Sequence, residues 1–223
     1  RIWRPGRAWD QSRIERYRDS LRESSIFQSV DVSPGPKDED GNRTVLTSLT
    51  SAPERTVGGS LKYHSACGPG LQAYWEHRNF SGYGDKLRLE APLWADMQEV
   101  TATYRRPYAF RRDTDFIASA GFLHQDTDAY NMTSAAFAAG FDRRFSRYWS
   151  GNVRLSAEGG SIKEPMKERR DYTMFGLPLG LNYDNTRNLL DPVRGERLFV
   201  AVTPCTGASQ GSFSAVQPRM EGR

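Results

Sequence analysis

The sequence predicts a mainly β protein, an antiparallel sheet of bilayer-crossing type preceded by a small α+β module. Three observations predict it. From Arg55 onward apolar and polar residues alternate with the period of two of an extended strand, in segment after segment. Each segment is close to the roughly 9–11 residues a tilted strand needs to cross a bilayer. Aromatic residues gather at segment ends (Tyr74-Trp75, Trp94, Tyr104 with Tyr108 and Phe110, Tyr148-Trp149), where interfacial girdles belong.

Composition sets the limits. At 223 residues, with 37% hydrophobic and 12% aromatic content, the chain is too rich in regularly spaced aromatics and β-formers to be disordered. Its mean hydropathy of −0.69 is polar, and no run of about 18 apolar residues offers a spanning helix. A membrane β-barrel tolerates such an average, because half of its strand positions face a wet lumen. The net charge of +4 is scattered among acids, so no basic patch argues for nucleic acid. Cys67 and Cys205 fit no zinc-ligand spacing. Starting at Arg1 without a leader, the sequence reads as a mature or truncated product.

The chain then falls into order. Asp10 is a plausible N-cap for a helix over 13–23, whose Ile14, Tyr17 and Leu21 share a face. A strand over 26–32 follows, with Phe27, Val30 and Val32 as its apolar members. A charged turn over 34–41 and a partner strand over 42–49 complete the module. In 55–85, Thr56, Gly58, Ser60 and Lys62 alternate with Val57, Gly59, Leu61 and Tyr63. Gly68-Pro69-Gly70 is expected to turn the chain, Leu71, Ala73 and Trp75 continue the alternation, and 78–84 ends the hairpin. Outward rows are then expected at Leu87, Leu89, Ala91 and Leu93, at Val100, Ala102 and Tyr104, and at Phe116, Ala118, Ala120 and Phe122. They continue at Ala135, Phe137, Ala139 and Phe141, at Val153, Leu155 and Ala157, at Phe175, Leu177, Leu179, Leu181 and Tyr183 in one segment over 173–183, and at Leu198, Val200 and Val202. Residues 206–223 read as an irregular tail. Alternation alone leaves a soluble antiparallel barrel or sandwich open beside the membrane barrel; hairpin order and aromatic ends favour the latter.

No catalytic constellation stands out. His64, His77 and His124 are isolated, the acids Asp113, Asp115, Asp126 and Asp128 lack an EF-hand pattern, and Gly82-Tyr83-Gly84 opens no helix. No cofactor is implied.

Several pieces together resemble the TamA/BamA-type outer-membrane assembly family, in which periplasmic POTRA domains precede a bacterial surface antigen β-barrel. DQSRIERYRDSLRESSIFQSVDV at 10–32 looks like the second helix and following strand of a POTRA domain. Residues 56–63 and 68–84 resemble the opening barrel strands, with a G-P-G turn and an R-N-x-x-G-x-G end. NYDNTRNLLDPVRGERL at 182–198 resembles the D-x-T-x-x-x-x-D-P-x-x-G-x-x-L element of an interior strand pair; its Val193-Arg194-Gly195 is not the family's VRG loop signature. The ordered set is closest to TamA. It implies the C-terminal part of a POTRA domain at 1–54, the N-terminal part of an outer-membrane barrel at 55–205 and a tail at 206–223. Roughly nine strands are expected where the family has about sixteen, so the chain reads as an incomplete barrel.

The resemblance also implies a mechanism and site residues. The barrel's first strand, with Val57, Gly58, Gly59, Leu61 and Tyr63, would form a weak lateral seam to which a client strand adds by β-augmentation. Strand glycines at 58 and 59 fit weak pairing, and equally a bend between module and barrel. Gly70, Arg78, Asn79, Gly82 and Gly84 would form the hairpin-end motif. Asp184, Asp191, Pro192 and Gly195 would shape an interior turn, and Phe27, Val30 and Val32 would offer a POTRA edge. Implied partners are the outer-membrane lipid bilayer, unfolded outer-membrane clients and an inner-membrane-anchored, TamB-like periplasmic protein, with no nucleic acid. The implied activity is assembly or translocation without enzymatic chemistry. The alternatives are a two-partner-secretion-type pore or the barrel of a patatin-like surface hydrolase.

Overall fold

The computed structural model describes residues 10–24, 26–64, 68–111, 113–186 and 195–222. The first element is α1 (Gln11–Glu23). Asp10 caps it: its Oδ1 accepts the Ser12 amide at 3.0 Å and the Ser12 hydroxyl at 2.7 Å, satisfying donors that the first turn leaves free. Strands β1 (Phe27–Lys37) and β2 (Arg43–Ser51) form an antiparallel hairpin. Ile14 on α1 and Val30 on β1 are both buried, and they are the heart of this small module. The expected turn over 34–41 is shorter than predicted. Pro34-Gly35-Pro36 stays extended, and Asp38 closes the turn by accepting the Asn42 amide at 2.7 Å.

The large sheet contains β3 (Arg55–His64), β4 (Gly68–Arg78), β5 (Lys86–Trp94), β6 (Met97–Arg106), β7 (Thr114–Asp126), β8 (Asn131–Arg144) and β9 (Trp149–Lys163). It continues with β10 (Arg170–Gly176), β11 (Leu179–Asp184), β12 (Arg197–Ala208) and β13 (Ser212–Gly222). Eleven strand elements form one antiparallel meander in which each pairs with the next, except that β10 and β11 do not pair with each other and both lie between β9 and β12. Short connections keep each hairpin in register. Among the described residues β3 pairs only with β4 and β13 only with β12. Among the described residues no helix is long and apolar enough to cross a membrane.

Three strand-level expectations are corrected. Residues 206–223 are not an irregular tail, because 212–222 form β13 along the whole of β12. Val216, Pro218 and Met220 there alternate with Gln217, Arg219 and Glu221, a pattern that proline and scattered polar residues disguise. The segment over 173–183 is split into β10 and β11 at Leu177-Pro178, since proline has no amide hydrogen to donate. The register on β9 is the same on both sides of the break, Gly176 facing Ser156 and Leu179 facing Val153, so the two halves are one crossing. Gly68-Pro69-Gly70 belongs to β4, with His64 opposite Gly68 and Tyr63 opposite Pro69, and is not the turn.

Cross-strand register sorts side chains onto two faces. Leu89, Ala102, Ala120, Phe137 and Ala157 lie in one continuous outer row, followed by Phe175. Arg88, Thr103, Ser119, Ala138 and Ser156 lie in the inner row. The outer face is apolar and bare: Phe137 is 53% and Leu155 68% exposed. Among the described residues each strand of the large sheet has backbone neighbours only in the strands it is hydrogen-bonded to, and its outer side chains stay exposed, so no second layer covers them. That removes the soluble sandwich, whose inner rows would be buried against a facing sheet.

Candidate functional site: the first strands and their charged inner face

Glu76 is the centre of the inner face. It sits on β4 opposite Arg88 of β5 and is 4% exposed. Arg78 Nη2 donates to its Oε1 at 2.7 Å, Arg88 Nη1 to its Oε2 at 3.1 Å, and Lys86 Nζ lies 3.6 Å from Oε2. Arg88 also reaches Glu90 at 2.7 Å and lies over the Tyr74 ring, 4.6 Å from its centroid. Alternation produces this cluster, because 74, 76, 78 and 86, 88, 90 all fall on one side of adjacent strands. Further along the same face Arg105 pairs with Asp115 and Arg154 with Asp142. The inner face is thus polar and charge-paired, while the outer face is apolar.

The first strand is fastened by Arg78. Its Nη1 donates to the Pro53 carbonyl at 2.9 Å and to Thr56 Oγ1 at 2.7 Å, and its amide donates to Glu54 O at 2.7 Å. One guanidinium therefore ties the module–sheet junction to Glu76. The turn after it is built around Asn79, at φ +56°, whose amide donates to Asp85 O and whose Oδ1 accepts the Gly84 amide at 2.9 Å. Gly82 and Gly84 carry φ of +85° and +74°, which other residues adopt at a cost. A Cβ on Gly84 would lie 3.3 Å from Ile26 Cδ1, so this turn rests on the module.

Asp85, 1% exposed, completes the turn by accepting the Ser81 amide on both carboxylate oxygens, at 3.0 and 3.1 Å. Burial alone would push its pKa up; the Ser81 amide and hydroxyl and the Tyr104 hydroxyl outweigh it and hold the carboxyl below its usual range. A depressed folded-state pKa stabilises fully above the unfolded value, about 3.9, and the stabilisation is lost as pH falls through the lower folded value. Hydrogen exchange at Ser81, corrected for its intrinsic rate, should therefore stay slow down to about pH 4 and accelerate below it. In Asp85→Asn the acid-dependent step should vanish; the same step in both proteins would refute the assignment.

The structure separates residues that the sequence grouped. Gly70 lies at the opposite end of β4 from Arg78 and takes no part in the turn; a Cβ there would lie 2.4 Å from Trp94 Nε1. Trp94 accordingly covers Gly70 on the inner face and is no part of an outer girdle. Gly58 and Gly59 also part company. A Cβ on Gly58 would lie 2.3 Å from Tyr74 Cε1, because that ring lies across it, whereas Gly59 meets only Gln72 O at 3.4 Å. Gly58→Val should therefore cost about 1–3 kcal/mol by displacing Tyr74, and Gly59→Val should be close to neutral. Urea midpoints of the two variants would check this, and equal losses would refute it.

Val57, Leu61 and Tyr63 are 77%, 86% and 80% exposed on the outer side of β3. Val30 is buried against α1, and Phe27 and Val32 are half-buried, so all three serve the module's own packing. Among the described residues β1 has no partner on its second backbone edge. Asp184 pairs with Arg197 at 2.8 Å and accepts the Thr186 amide at 2.9 Å, fixing the start of the β11–β12 connection. Gly195, φ +138°, packs on Thr186 at its end. Asp191 and Pro192, like Cys67, lie outside the described residues. Sequence reading missed Glu76 and Asp85. Glu76 was visible as an acid alternating in step with Arg78, Lys86 and Arg88; nothing marked Asp85 beyond its place after Gly84. Among the described residues no three His, Cys, Asp or Glu side chains could hold a metal ion.

The Omp85 superfamily domain model matches residues 79–223. The crystal structure of BamA from Haemophilus ducreyi lacking POTRA domains 1–3 is similar with a TM-score of 0.68 at 15% identity, over 92% of this chain and 46% of that one. CdiB from Acinetobacter baumannii is similar with a TM-score of 0.54 at 13% identity, over 98% of this chain and 44% of that one. At such identities the likeness is one of fold, and the chain spans less than half the length of either structure. No curated protein matches it in sequence.

Proposed function

Because the chain belongs to the Omp85 superfamily, we propose that it is part of a bacterial outer-membrane factor that inserts or secretes other proteins and performs no enzymatic chemistry. The observation that carries this is the two-faced single-layer sheet, apolar outside and charge-paired inside, which suits a bilayer on one side and a wet lumen on the other. We read α1, β1 and β2 as the C-terminal part of a periplasmic POTRA domain, with the sheet from β3 as the opening part of the barrel. The likeness to BamA supports that order.

The client role rests on β3. Its outer backbone edge has no partner among the described residues, and a strand edge presents N–H and C=O groups to which an incoming strand adds. In this reading the growing clients are unfolded outer-membrane proteins, autotransporters among them, as in TamA-like factors. The second edge of β1 would take a TamB-like periplasmic partner by the same chemistry. A secretion pore is the second reading, favoured by the likeness to CdiB and by the charged inner face.

The test uses the natural full-length protein. It should sediment with outer membranes and migrate differently on gels with and without heating, and a cysteine at Leu61 should crosslink to a client's terminal strand during insertion. Recovery as a soluble protein would end the membrane reading. Ion conductance with no crosslinked client would favour the pore.

A further inference from the structure

We infer that the outer face carries a binding groove for an anionic phospholipid on the module side of the sheet. The inference rests on the membrane reading above. The side is defined by β3, which enters from the module at Arg55; the connections over 79–85, 107–113 and 145–148 lie at that same rim.

The groove exists because Gly151 has no side chain. It lies on the outer face between Arg143 of β8 and Leu181 of β11, and the Phe145 ring lies 2.9 Å from where its Cβ would be. Phe110 folds back from the 107–113 connection onto Phe141, ring centroids 5.3 Å apart, and forms the opposite wall. Together with Val153 on the floor they enclose about 440 Å³. Phe110 and Phe145 are 77% and 59% exposed, unusual for side chains with nothing apolar to meet.

Two arginines, Arg111 and Arg143, belong to its lining, and Arg143 lies 5.8 Å from the Phe145 ring centroid. The neighbouring acids lie on the other side: Asp113, Asp115 and Asp142 line the inner-side cavity and none lines this groove, with Asp115 holding Arg105 and Asp142 holding Arg154. Among the described residues neither Arg111 nor Arg143 forms an ion pair. Arg106 and Arg147 extend the same rim, stacked on Tyr83 and Tyr148. The opposite rim is mixed, with Asp96, Asp126 and Asp128 in two connections and Glu164, Lys167, Glu168 and Arg169 in a third. An acyl chain on the aromatic floor with a phosphate between the two arginines satisfies both halves of the site. A net-neutral headgroup satisfies it less well, because its ammonium meets the same cations.

The experiment takes the full-length protein in detergent and measures retention of phosphatidylglycerol against phosphatidylethanolamine by native mass spectrometry. Phosphatidylglycerol should be retained about fivefold better at low salt, with the preference lost at about 0.5 M salt. Arg111→Gln with Arg143→Gln should abolish it, and Lys163→Gln, a charge lost at the other rim, should not. Equal retention of the two lipids by the unmodified protein, or an undiminished preference in the double variant, overturns the groove and leaves the membrane reading standing. Retention of neither lipid overturns both. Should the double variant not fold, the salt titration of the unmodified protein decides.

Discussion

Leu155→Arg is expected to keep the chain out of the bilayer, while Ser156→Arg, one position along the same strand, is expected to insert normally. Leu155 lies mid-strand on β9, on the outer face and opposite Ala139, and is 68% exposed where a membrane would cover it. An arginine at the bilayer midplane of a barrel costs about 2–4 kcal/mol. Ser156 points to the wet inner face opposite Ala138, beside a glycine at 176, so a long cation there has room and water. Insertion into lipid vesicles, followed by the heat-sensitive gel shift, reads both variants in one assay. If the two insert equally, the outer face is not a lipid face.

Glu76→Ala should destabilise the folded sheet by about 3 kcal/mol, the low end of the cost of removing one partner from a buried ionic cluster. The low end applies because Arg78 is about a quarter and Arg88 about a third exposed, and inner-face water answers part of their charge. The loss should fall on the β3–β4–β5 region, since Arg78 also holds Pro53 and Thr56. Glu76→Gln should recover little, because one amide cannot accept from three cations. A urea midpoint unchanged in Glu76→Ala would show that water alone suffices for these arginines.

Most of the sheet was legible in its sequence because period-two alternation is a one-dimensional signal. The outer rows from Leu87 to Val202 all lie on the face that alternation assigned them. The failures came where local chemistry interrupts that period. Pro178 withholds one donor without ending the strand, its carbonyl still accepting the Arg154 amide, and proline with polar neighbours hid β13. Gly68-Pro69-Gly70 has turn composition, but cross-strand pairing with β3 holds it extended. The site was less legible, since it depends on which residues meet across strands. Gly58 and Gly59 are equivalent in sequence and opposite in space, and only the position of Tyr74 tells them apart. Asp85 lies in a connection whose folding decides that it is buried.

The proline at 178 has company. Pro204 on β12 and Pro218 on β13 stand in the neighbouring strands, whereas β6, β7, β8 and β9 contain none. Pro178 and Pro204 face a neighbouring strand and offer it no amide, whereas Pro218 stands on the edge strand with its nitrogen turned to the open side. The middle of the sheet, β6 to β9, is therefore free of proline, while Pro69 on β4 and Pro92 on β5 interrupt one flank as Pro178 and Pro204 interrupt the other, so any flexing of the wall would concentrate outside the middle strands.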